Sequence, residues 1–193
     1  MNRTSLIRMG GLAAVVGGVL FLAFPLLGYG LAGFTHPFFY RVEEALLFLM
    51  VVALVLVPVG MVGFHAFQRQ SYGRIGLAGF WLVVIASFVV AAGVADYFIW
   101  GDVLQELPPV WLVWGVLGLL VGFLLYGMAT LQAGMLPRWC GVAFIAALPV
   151  ALALSGQLSF ASMFGVFGLA WLALGYALWT RRGVTTVQNT RVR

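Results

Sequence analysis

The sequence predicts an all-α integral membrane protein, a six-helix bundle of three tandem two-helix hairpins with both ends cytoplasmic. Three observations predict it. The chain of 193 residues is 64% hydrophobic and only 8% charged, with a mean hydropathy of +1.11. A soluble domain carries about 25% charged residues, so lipid must solvate much of this surface. Six apolar runs, all but the fifth of membrane-crossing length, alternate with more polar segments. The charges are also sorted by sign. Nine of ten arginines (Arg3, Arg8, Arg69, Arg74, Arg138, Arg181, Arg182, Arg191 and Arg193) fall in segments facing one side, whereas all five acids (Glu43, Glu44, Asp96, Asp102 and Glu106) fall in the alternate segments with Arg41. Short cytoplasmic loops retain basic residues, which places the arginine side in the cytosol and the chain in the inner membrane.

The expected spans are 9–29, 45–67, 75–95, 110–131, 139–154 and 158–179, forming one transmembrane domain over residues 1–180. About 20 residues of helix cross about 30 Å of hydrocarbon. The runs are continuously apolar and lack the alternation of barrel strands. The first span follows Arg3 and Arg8 like a signal peptide, but its apolar run exceeds the usual 7–15 residues, so a retained helix is expected. Pro25, Pro58 and Pro149 fall inside spans, where neighbouring helices tolerate kinks. Pro108 and Pro109 precede the fourth span, a favoured helix start. The fifth span is short, and only a tight turn around Ser155, Gly156 and Gln157 separates it from the sixth. Residues 181–193 form a polar cytoplasmic tail, expected to be disordered. Trp100, Trp111 and Trp114 mark the outer boundary, and Trp139 and Trp179 the inner one. Trp171 lies deep in the sixth span as a packing residue.

Two inner loops resemble each other at an offset of 64 residues: GFHAFQRQSYGRIGLAG from Gly63 and GMATLQAGMLPRWCGVA from Gly127. Gly63 matches Gly127, Gln68 matches Gln132, and Arg74 matches Arg138. Two readings account for this: triplication of a helix pair, or a shared loop chemistry of arginine for topology and small residues for turns and packing. The mitochondrial carriers also have three two-helix repeats, but their Pro-x-Asp/Glu-x-x-Lys/Arg signature is absent.

Composition and motifs narrow the function classes. The net charge of +5 predicts no nucleic-acid partner, because the arginines flank apolar spans rather than form a basic stripe. They act as topology anchors, chiefly Arg8, Arg69, Arg74, Arg138, Arg181 and Arg182. One cysteine, Cys140, excludes an internal disulfide and a cysteine-based zinc site. No phosphate loop, nucleophile elbow, HExxH or CxxC occurs. His36, Glu43, Glu44 and Asp96 are weak candidates for an outer divalent-cation site; loop solvation and helix capping are the leading account of them. Asp96 is the most membrane-proximal acid; ionisable groups inside spans are costly and suggest a role, but at the end of the third span Asp96 can reach interfacial water. His65, at the inner end of the second span, is expected to be a satisfied interfacial histidine. Gly118 and Gly122 form a GxxxG, and Gly10 with Ala14 forms a looser small-residue face. Both suit close helix packing within the chain.

Residues 127–141 (GMATLQAGMLPRWCG) and 9–18 (MGGLAAVVGG) resemble stretches of uncharacterised small multi-pass membrane proteins of high-GC bacteria. The resemblance implies no activity and no site residues. The leading expectation is a non-enzymatic structural or interaction subunit, with no cofactor, partnered by the bilayer and by another membrane protein. The alternative is a small-molecule or ion transporter with an acidic outer vestibule. A membrane enzyme requires His36, Glu43, Glu44 and Asp96 to converge.

Overall fold

The computed structural model describes residues 3–31, 38–100, 110–155 and 160–180. These residues form six α-helices: α1 (Arg3–Leu31), α2 (Phe38–Gln68), α3 (Gly73–Trp100), α4 (Val110–Ala133), α5 (Arg138–Ser155) and α6 (Phe160–Thr180). Four of them, α1 to α4, are long and apolar enough to cross a membrane. The described stretches of α5 and α6 are apolar but shorter. Several helices outrun the apolar segments that predict them. α1 begins at Arg3 rather than near residue 9, α2 at Phe38 rather than 45, and α3 continues to Trp100. Hydrophobicity measures the depth of lipid, whereas helical hydrogen bonding continues for as long as each turn supports the next. Glu43 and Glu44 therefore lie inside α2, past its first turn, and not at its start.

The helices expose large apolar side chains outward. Phe48, Ile85, Leu124 and Leu169 come from four different helices and are all exposed. Water would penalise such a surface, and lipid does not. This outward face and the four crossing-length helices are consistent with a transmembrane protein.

Each helix packs on its neighbours in the chain, and the sequence of contacts closes because α6 packs extensively on α1. Glycine makes these contacts close. A methyl on Gly10 of α1 would land on the Cα of Gly63 in α2. In the α3–α4 contact, a Cβ on Gly122 would meet the backbone of Val83 at 2.9 Å, and one on Gly118 would meet Ala86 at 2.9 Å. The GxxxG of α4 thus packs within the chain. Ala14, on the small face of α1, is fully buried between Gly60 and Gly175. Small residues bring backbones together where lipid supplies no hydrophobic drive for association.

Aromatic side chains fill the middle. Trp171 of α6 is buried with ring-centroid separations of 5.9–6.2 Å to Phe64, Phe123, Phe144 and Phe167. Gly17 and Gly60 line its indole on the α1 and α2 sides. Edge-to-face pairs such as Phe64–Phe144 and Tyr126–Phe144 match the ring quadrupoles. Trp171 is thus a packing residue shared by five helices.

Candidate functional site

The contacts sort the described charges. The start of α1 meets the ends of α2 and α6 through Gly10–Gly63 and Gly11–Gly175, and the end of α4 meets the starts of α3 and α5 through Tyr126–Gly79 and Gly127–Gly141. Arg3, Arg8, Arg69, Arg74 and Arg138 therefore share one end of the molecule. Asp96 lies near the other, just beyond Gly93, which packs against Trp111 at the start of α4. Arg8, Arg69, Arg74 and Arg138 are exposed, whereas Arg181 and Arg182 lie outside the described residues.

Arg3 does more than carry charge. Its Nε donates to the Ala66 carbonyl at 3.0 Å and its Nη2 to the Phe67 carbonyl at 3.3 Å. These are carbonyls at the end of α2, which lack helical partners and carry the negative end of the helix dipole.

Beside this cap lies a polar cluster built by the α2–α3 turn. The Arg69 N–H donates to the His65 carbonyl and the Ser71 N–H to the Gln68 carbonyl, both at 2.8 Å. Gly73 then adopts φ +61°, a region that favours glycine. The chain reverses, and the Tyr72 hydroxyl is hydrogen-bonded to His65 Nδ1. The imidazole stacks on Phe80 of α3 at 4.5 Å, and the Tyr72 ring packs edge-on to Tyr126 of α4 at 5.8 Å. His65 is thus satisfied, by a tyrosine that sequence spacing alone does not single out.

Three further polar groups stand inside. Gln68 is fully buried, and neither its amide nitrogen nor its oxygen has a hydrogen-bond partner among the described residues. The same holds for the Tyr126 hydroxyl and Trp171 Nε1. Each such group costs about 1–3 kcal/mol. By contrast, the buried hydroxyls of Ser87 and Thr130 donate to carbonyls one turn back, Val83 at 2.7 Å and Tyr126 at 2.9 Å. Gln68 lies one turn beyond Phe64, which packs on Phe144, and Phe144 also packs on Tyr126. Gln68 at the end of α2 and Tyr126 in the last two turns of α4 both lie toward the arginine end. Their chemistry is neutral hydrogen bonding. Cys140 of α5 is also buried.

The weak cation candidates are placed only in part. His36 lies outside the described residues, as do the side chains of Glu43 and Glu44. Asp96 is half-buried in α3. Among the described residues, no three His, Cys, Asp or Glu gather in a way that could hold a metal ion.

The two similar loops at the arginine end are built differently. Gln68 is buried and Gln132 exposed. The positive-φ glycine stands immediately before Arg74 in the first loop, but in the second it is Gly134, whose N–H donates to the Thr130 carbonyl at 3.3 Å to cap α4. Gly63 faces α1, whereas Gly127 faces α5. These differences favour shared loop chemistry over a conserved repeat geometry.

Comparisons with protein-family models, curated proteins and solved structures found no match.

Proposed function

We propose that the chain is a non-enzymatic structural or interaction subunit of a bacterial inner membrane, of the same kind as the small multi-pass proteins its loop stretches resemble. In this reading all six helices cross the bilayer as three hairpins, with the arginine end and both termini in the cytosol. At 1.5 Å per residue, even the 18 residues of α5 rise about 27 Å, close to the hydrocarbon thickness. The observation that carries the functional reading is the aromatic filling around Trp171. It occupies the middle of the helix assembly, where a carrier needs a polar route, and it leaves function to the surfaces and the polar cluster at the arginine end. The acidic-vestibule transporter is therefore the second reading.

The test is tagged capture of the full chain from native membranes after in-membrane cross-linking. One membrane-protein partner at a fixed ratio is expected. Ligand- or cation-dependent thermal stabilisation of the purified chain, without any fixed partner, would favour the transporter. Orientation is tested with Arg74→Cys in a Cys140→Ser background, where labelling by an impermeant maleimide in intact spheroplasts would reverse the topology.

A further inference from the structure

We propose that the arginine end is a docking surface for anionic phospholipid headgroups, and that its arginines whose side chains have no backbone partner among the described residues, Arg8, Arg69, Arg74 and Arg138, supply its selectivity while Arg3 does not. This goes beyond the subunit reading and stands or falls separately from it. The first observation is sorted charge. Arg8, Arg69, Arg74 and Arg138 are exposed at one end, and all five acids belong to the alternate segments of the sequence. The second is position. Arg138 is followed directly by Trp139, 45% exposed, and Trp179 is 40% exposed in the last turn of α6. Exposed indoles at helix ends sit at headgroup depth, so the neighbouring guanidiniums meet lipid phosphates.

Arg3 is the internal contrast. It belongs to the same end, carries the same charge and is also exposed, but its Nε and Nη2 donate to the Ala66 and Phe67 carbonyls. Charge composition alone makes all these arginines equivalent, whereas the geometry makes Arg3 structural.

The experiment uses the full chain in neutral detergent, with bound lipid read by native mass spectrometry after addition of phosphatidylglycerol, phosphatidylcholine or inorganic phosphate. Preferential retention of phosphatidylglycerol is expected, weakening with salt. Arg74→Gln and Arg138→Gln should each reduce that retention about fivefold, the effect of one basic residue near an anionic surface. Arg74→Lys should restore most of it. Arg3→Gln should lower the thermal midpoint and leave the lipid preference unchanged. Equal retention of the two lipids, an Arg3→Gln loss as large as that of Arg74→Gln, or displacement of lipid by inorganic phosphate alone would each overturn the proposal.

Discussion

The Tyr72 hydroxyl is hydrogen-bonded to Nδ1 of His65, seven residues earlier, and so ties the α2–α3 turn back onto α2. The pair is braced on both sides, His65 by Phe80 and Tyr72 by Tyr126. One side-chain bond thereby links α2 and the turn to packing surfaces on α3 and α4. Removing the hydroxyl tests its weight. Tyr72→Phe keeps the ring contacts and deletes the bond. His65 is only half-buried, so water can take over Nδ1, and the expected loss is about 0.5–1.5 kcal/mol. The midpoint of SDS-induced unfolding in mixed micelles measures it, and an unchanged midpoint would show that the bond does not stabilise the fold.

Gly76 supplies the space for that tyrosine. A Cβ at Gly76 would collide with the Tyr72 ring. Gly76→Ala should therefore destabilise by about 1–3 kcal/mol, although alanine in a helix ordinarily gains about 1 kcal/mol over glycine. In a Tyr72→Ala background the sign should invert, because the obstructing ring is gone. The double-mutant cycle isolates the coupling. Destabilisation of equal size in both backgrounds would place the cost elsewhere.

The helices and the sorted charges were legible because both follow from bulk properties. Lipid demands apolar runs, and topology demands arginine on one side. The small-residue faces of α1 and α4 were legible too, since glycine spacing has little other use inside a span. What stayed hidden depends on which turn meets which. Arg3 reads as one more inner arginine until the end of α2 comes within reach of its guanidinium. Gln68 and Gln132 look equivalent in sequence, yet one is buried and the other exposed, because their loops reverse through glycines at different positions. Helices α1, α2 and α3 run past their apolar spans, because a helix can continue through polar residues such as Arg3 and Glu43.

Buried polarity without partners predicts a gain from its removal. Gln68→Leu keeps a similar volume and deletes an amide that has no hydrogen-bond partner among the described residues. An increase in stability of about 1–3 kcal/mol is expected, measured by the same SDS titration. If the cluster serves a partner, the stabilised variant should also lose cross-linked capture, since functional sites commonly hold such strain. A drop in stability instead would mean that the amide is satisfied in the membrane. Tyr126→Phe should behave alike with a smaller gain, because only one hydroxyl is removed.

The Gly10–Gly63 approach of α1 and α2 is a sensitive packing point. A methyl on Gly10 or on Gly63 would meet the facing glycine's backbone rather than a side chain that could rotate away. Gly63→Ala should therefore force α1 and α2 apart and destabilise by about 1–3 kcal/mol. α1 also packs on α6, so part of that displacement should reach Ala14 and the indole of Trp171, which lies against Gly17 and Gly60. A red shift in tryptophan emission should accompany the lower SDS midpoint. Gly73→Ala is the control. Nothing stands within 4 Å of a Cβ there, so its cost comes only from the φ of +61°, about 1–2 kcal/mol, and the emission should stay unchanged. If the two variants gave the same spectrum, the α1–α2 contact would not be what holds Trp171 in its aromatic surroundings.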